Sequence, residues 1–158
     1  MSVVTHVRRE LSEHQLEAWT HFLRAHASIT RELEPQLANG HGLTLSDYDV
    51  LAQLAQAPGR RLRPVELARA VLLTRSGVTR LVHGLERAGL VERAPSPDDG
   101  RGSLIQLTAA GRDVLRRASR THLAGVRERF AERFDEAELR TLSELLGRLR
   151  DDREIGDR

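Results

Sequence analysis

Between Thr74 and Ala88, the side chains of Arg75, Ser76, Thr79, Arg80, His83 and Arg87 fall on one face of a 3.6-residue repeat. Each can donate a hydrogen bond (the histidine according to its protonation), none is acidic, and the acid Glu86 comes only at the far end. A guanidinium can take guanine O6 and N7 with two bonds, whereas Ser and Thr hydroxyls suit phosphates or base edges. Small residues at 76 and 77 would let the start of such a helix approach the floor of a groove, and a helix N-terminus favours phosphate. Val78, Leu81, Val82 and Leu85 follow the i, i+3, i+4, i+7 rule on the opposite face and define a buried stripe. A solvated amphipathic helix is the common fate of such a face, but solvated faces usually mix acids with bases. The chemistry implied is a grip on nucleic acid, with 74–88 as the recognition helix.

A second group of the same chemistry lies downstream. Asp99-Gly100-Arg101 places an arginine at the tip of an extended ribbon, where it could enter a minor groove, with Asp99 placed to fix its guanidinium. The bland alternative is an ordinary Asp-Gly turn beside a solvated arginine. Taken alone, the turn favours the bland alternative. Residues 60–87 hold arginines at 60, 61, 63, 69, 75, 80 and 87 against Glu66 and Glu86, a local net of +5 in a chain of net +2. Arg63 in this block joins the candidate phosphate contacts. The overall pI of about 10.2 is weaker evidence, because every basic residue is arginine and nothing titrates between neutrality and the guanidinium range.

Other chemistries are poorly provided for. The absence of cysteine removes disulfides, thiolate metal sites and thiol redox sensing. Seven histidines (6, 14, 21, 26, 41, 83, 122) show no close ligand pair on one helix face, so no metal site is expected; His122 and His21 meet only if the fold brings them together. There is no Gly-rich phosphate loop, nucleophile elbow or H-E-x-x-H, and Asp98-Asp99 and Asp151-Asp152 read as solvated turn and tail. The expectation is no enzyme, no catalytic residues and no cofactor. No apolar run reaches membrane-spanning length and the N-terminal residues lack a signal's apolar stretch, so a cytoplasmic protein without membrane contact is expected.

The elements that must position these residues are read from caps and periods. Ser12 opens a capping box with Gln15, stapled by Leu11 and Leu16, and Leu16, Trp19, Phe22, Leu23, His26, Ile29 and Leu33 continue at helical spacing. This first helix should end or kink near Pro35, before an Asn39–Gly42 loop. Ser46 to Asp49 reads as the next cap, with Leu45 and Val50 as its staple, on a helix to about Gln56 that Pro58-Gly59 closes. Pro64 starts a short helix, Thr74 caps the recognition helix, and Gly89 takes the left-handed position after it. Leu90–Arg93 and Ser103–Leu107 are short strands around a turn-rich segment. Thr108 caps a long helix to about Arg133, and Asp135 opens a last helix, stapled by Phe134 and Leu139.

This order predicts a mainly α fold with a small β-hairpin wing: a winged helix-turn-helix flanked by N- and C-terminal dimerisation helices. The lobe spans 43–107 with the wing at 90–107, and 12–42 with 108–153 form the helical dimerisation region. The flanking helices exceed what so small a core needs, and a second copy of the chain would cover their leftover apolar faces.

An ordered set of motifs resembles the MarR (multiple antibiotic resistance regulator) family. It comprises Glu66-Leu67-Ala68, Thr74 to Val82, Leu85-Glu86-Arg87-Ala88-Gly89-Leu90-Val91-Glu92-Arg93, Pro97-Asp98-Asp99-Gly100-Arg101-Gly102 and Leu107-Thr108-Ala109-Ala110-Gly111. The likeness extends through Leu43–Leu54 and Trp19–Leu37. It implies a homodimeric transcriptional regulator, of repressor type, on palindromic double-stranded DNA, with recognition helices in major grooves and wing arginines in minor grooves. The family's helix contacts map onto Ser76, Thr79 and Arg80, and its wing Asp-x-Arg onto Asp99 and Arg101. Release by a small aromatic or anionic ligand is also a family trait; Trp19, His21, His26 and Tyr48 are the candidate lining here, although a tryptophan at the helical core position of Trp19 is more often simple packing. The competing reading is a winged helix that binds protein, which would show no salt-dependent DNA affinity and would tolerate Arg80→Ala.

Overall fold

The computed structural model describes residues 11–71, 75–96 and 102–149. Helix α1 spans Glu13–His41. Its capping box forms as the sequence requires: Ser12 Oγ accepts the Gln15 N–H at 3.3 Å, and Gln15 Oε1 accepts the Ser12 N–H at 2.9 Å. The helix does not stop at Pro35. It continues to His41, and Gly42, at φ 66°, closes it: the Gly42 N–H donates to the Ala38 carbonyl and the Leu43 N–H to that of Leu37. The expected loop over Asn39–His41 is therefore helical. Proline removes one i→i−4 bond, but Pro35 and Arg31 both lie on the exposed face, while Leu33 and Leu37 anchor the helix on either side in the core.

Helix α2 (Leu45–Gln56) starts two residues before the position expected. Thr44, not Ser46, is the N-cap: its hydroxyl accepts the Asp47 N–H at 3.0 Å and Asp47 Oδ2 accepts the Thr44 N–H at 2.9 Å. This frame makes Leu43 and Tyr48 the staple positions in place of Leu45 and Val50, and it turns Val50, Leu51 and Leu54 fully into the core. A turn over Pro58–Arg60, with Gly59 and Arg60 both left-handed, then leads into β1 (Arg61–Leu62), a strand the sequence reading missed. Two residues are too few for alternation to register; its pairing with Gln106 and Ile105 defines it.

Helix α3 (Pro64–Ala70) is followed by α4 (Arg75–Arg87). Ala88 still donates to Gly84, then Gly89, at φ 71°, allows Gly89→Glu86 and Leu90→Leu85 backbone bonds of 2.9 Å each, which turn the chain back along the helix. Strands β2 (Val91–Pro95) and β3 (Ser103–Leu107) pair antiparallel, and β3 is central in the order β1-β3-β2. The fold class is thus the mainly helical winged arrangement expected, with one additional strand.

Thr108 caps α5 (Ala109–Arg129) and stitches it to the end of α4, donating to the Gly89 and Leu90 carbonyls at 2.8 and 3.0 Å while accepting the Gly111 N–H at 3.0 Å. A Cβ on Gly111 would lie 2.1 Å from the Leu90 carbonyl oxygen, so only glycine allows this approach. Helix α5 ends at Arg129, short of Arg133, because Phe130 leaves helical geometry (φ −129°, ψ −64°) before a single turn over Ala131–Arg133. Helix α6 (Glu136–Gly147) opens with the Asp135–Glu138 capping box.

One core, centred on Leu37, Leu51, Leu54, Leu67, Val82, Ile105 and Leu107, joins α1–α4, the sheet and α5. Helices α1 and α5 run antiparallel: His41 Nε2 lies 2.8 Å from Thr121 Oγ1, Gly125 packs on Leu33 and Gln36, and Arg129 pairs with Glu32. Beyond that contact, residues 13–28 of α1 carry no buried side chain, and neither does α6. Leu16, Trp19, Phe22, Leu23 and Leu145 are exposed. No helix among the described residues is long and apolar enough to cross a membrane.

Candidate nucleic-acid interface

Helix α4 divides as its sequence period dictates. Val78, Val82 and Leu85 are buried and Leu81 is partly so, which fixes the helix by roughly 1.5–3 kcal/mol for each fully buried side chain. Ser76, Thr79, Arg80, His83 and Arg87 emerge on the exposed side. Arg75 begins the helix, and its side chain lies outside the described residues, as do Thr74, Asp99 and Arg101.

The base of the wing lies beside this helix. Thr79, Arg63, Pro64, Val65, Gly102 and Ser103 line a cleft of about 340 Å³ between the start of α3, α4 and β3. Arg63 is the N-cap of α3, a position that favours Ser, Thr, Asp or Asn. Its backbone N–H is accepted by Glu66 at 2.7 Å, while its guanidinium reaches the buried Ser96 hydroxyl at 3.4 Å. Ser96 in turn donates its N–H to the Gly102 carbonyl at 3.0 Å, which closes the hairpin beyond its strands. Thus Arg63 connects α3 to the wing base while remaining at the edge of the cleft.

Sequence reasoning treated Glu86 as a terminal acid of little consequence, but the structure gives it partners. Arg93 Nε, on β2, lies 3.1 Å from Glu86 Oε1, and His83 Nδ1 lies 3.8 Å from Oε2. Arg93 also donates to Ser103 Oγ at 3.4 Å. The signal that could have found this pair is the tight Gly89 turn, which must send the next strand back alongside the last turn of α4.

The candidate ligand lining is not brought together within one chain. Trp19, His21 and His26 are exposed on the first half of α1, with Trp19 stacked on Phe22 at 6.0 Å between ring centroids. Tyr48 is half-buried at the α2–α5 junction, its hydroxyl 3.2 Å from Ser119 Oγ and its ring 4.5 Å from that of His122. Helical rise puts Trp19 roughly 20 Å further along α1 than the Glu32–Arg129 contact. His122 therefore meets Tyr48, not His21. Burial pushes the His122 imidazole below its ordinary pKa of 6.5, and among the described residues its buried Nδ1 has no hydrogen-bond partner. Among the described residues there is also no cluster of His, Asp or Glu able to hold a metal ion.

Comparison with known proteins matches this geometry. Residues 41–102 fit the profile of the MarR family. The chain is 31% identical to the transcriptional repressor YetL of Bacillus subtilis over 113 residues, covering 70% of this chain and 68% of that protein. Among solved structures it resembles Sco3205, a MarR family transcriptional regulator of Streptomyces coelicolor in complex with DNA. That match has TM-score 0.85 and 33% identity, over 89% of this chain and 88% of that one. AbsC, a MarR family regulator of the same organism, superposes with TM-score 0.84 at 30% identity, over 89% and 95% of the two chains. Both the ordered elements around α4 and these likenesses over most of the chain lead to one assignment: the protein belongs to the MarR family of transcriptional regulators.

Proposed function

We propose that this regulator is a sequence-specific repressor that binds palindromic duplex DNA as a homodimer. In this reading α4 enters the major groove, Ser76, Thr79, Arg80 and His83 meet base edges and phosphates, and Arg75 and Arg63 take flanking phosphates. Arg101, oriented by Asp99, takes the minor groove. The observation that carries the reading is the exposed face of α4, which is donor-rich opposite a buried apolar stripe and sits beside the base of a β-hairpin. The likeness to a relative solved in complex with DNA supports it. Twofold symmetry sets half-sites about one helical turn apart, roughly 34–36 Å. The dimer is supported by the exposed apolar side chains of α1 and α6, and an effector of the aromatic or anionic class would act near Tyr48, where α2 meets α5.

Selection of duplexes from a random-sequence pool with the purified chain tests this directly. An enriched inverted repeat supports the reading. Uniform, sequence-independent retention would reduce α4 to a phosphate contact, and no salt-dependent retention at all would favour a protein-binding winged helix.

A further inference from the structure

Glu86 stands where an acid is disfavoured twice. It lies seven residues after Thr79, hence on the same stripe of α4, the one that faces DNA in the function proposed above. It also occupies the last turn of the helix, whose macrodipole favours cations. Yet it is half-buried, with one oxygen 3.1 Å from Arg93 Nε and the other 3.8 Å from His83 Nδ1. Arg93 is fixed further by Ser103 on the neighbouring strand. One guanidinium beside the DNA-facing stripe is thereby held to this carboxylate.

We infer that Glu86 is a specificity-determining residue that acts by occupying Arg93. Sequence-independent affinity rests on cations that neutralise phosphates, whereas discrimination rests on base contacts. An arginine free to swing at the junction of helix and wing would add to the first and nothing to the second. The carboxylate removes that freedom. The same pair ties the last turn of the helix to β2, so the angle between helix and wing is set on the protein before DNA arrives. This inference rests on the DNA-binding reading.

The test compares two duplexes: the one enriched by the wild-type chain from a random pool, and a scrambled duplex of the same composition, titrated across salt concentrations. Glu86→Gln is expected to bind the scrambled duplex several-fold more tightly, with a salt slope steeper by about 0.9 for each phosphate newly engaged. Its preference for the enriched duplex falls accordingly. Arg93→Gln leaves Glu86 unpaired against the backbone and should weaken binding to both duplexes, the opposite sign. Glu86→Gln combined with Arg93→Gln should return the scrambled-duplex affinity towards wild type. A merely structural tether would make both single variants lose affinity for the enriched duplex with no gain on the scrambled one, and that result overturns the inference. So does a gain in Glu86→Gln that survives removal of Arg93. Thermal melting of each variant separates misfolding from altered binding, and Glu86→Asp, which keeps the charge, should retain wild-type preference. A wild-type chain that does not discriminate the duplexes contradicts the DNA reading itself and this inference with it.

Discussion

Arg80 and His122 sit in contrasting environments, and each makes its own prediction. Arg80 is exposed on α4, two residues from the buried Val82, and a bidentate contact to a guanine is worth about 1–3 kcal/mol of discrimination. Arg80→Ala should lose affinity of that order for the selected duplex and relax preference at one base pair per half-site, read by repeating the selection with the variant. His122 is instead half-buried against Tyr48, and burial holds its pKa below 6.5. The unfolded chain then takes up a proton near that pH before the folded chain does, so stability is complete above it and is lost as pH falls through and below it. The melting temperature should drop between about pH 7 and pH 5, and His122→Phe should flatten that dependence. An identical slope in the variant would assign the acid sensitivity to other groups. The exposure of Ser76, Thr79, Arg80 and His83 on one side of α4 was legible from its period alone. Arg93 was not, because its role depends on which strand returns past the end of α4.

At the scale of elements, local capping chemistry was readable wherever one cap dominated. Ser12, Pro64, Thr108 and Asp135 start helices as their side chains require. The errors arose where two local rules competed. Thr44 and Ser46 both offer a hydroxyl before an acid, and the burial of Leu43 and Val50 decides for Thr44. Pro35 signals a break, but core anchors on both sides carry α1 past it. Strand β1 carries no local signal and exists through β3. The junction of α4 with α5 yields a prediction of its own. Gly111→Ala forces a Cβ into the Leu90 carbonyl and should destabilise the fold by about 1–3 kcal/mol, with a matching loss of DNA affinity as the end of α4 shifts. Thr108→Val, which deletes the cap hydroxyl and keeps the shape, should cost about 1 kcal/mol. Denaturant titration of both variants checks the order.

For the whole molecule, the single chain leaves an account unfinished. The first half of α1 and all of α6 carry no fully buried side chain in it, although Leu16, Trp19, Phe22, Leu23 and Leu145 are large and apolar. Helical segments of this length are marginal in water without a packed face. A dimer at micromolar concentration in sedimentation equilibrium is expected, and Trp19→Asp with Phe22→Asp should yield monomers of reduced helicity; a monomeric wild type would contradict the dimer. The sequence indicated that these faces need covering and pointed to a second copy of the chain, but not to which residues meet, since that depends on surfaces brought together only in the assembly. The central claim, that α4 of a twofold dimer reads base sequence, is tested most directly by selecting duplexes from a random pool and measuring wild type and Arg80→Ala on the winner. The account predicts an inverted repeat with half-sites one helical turn apart and a variant that loses preference within each half. Enrichment of no sequence, or an Arg80→Ala variant that weakens every duplex equally, would contradict it.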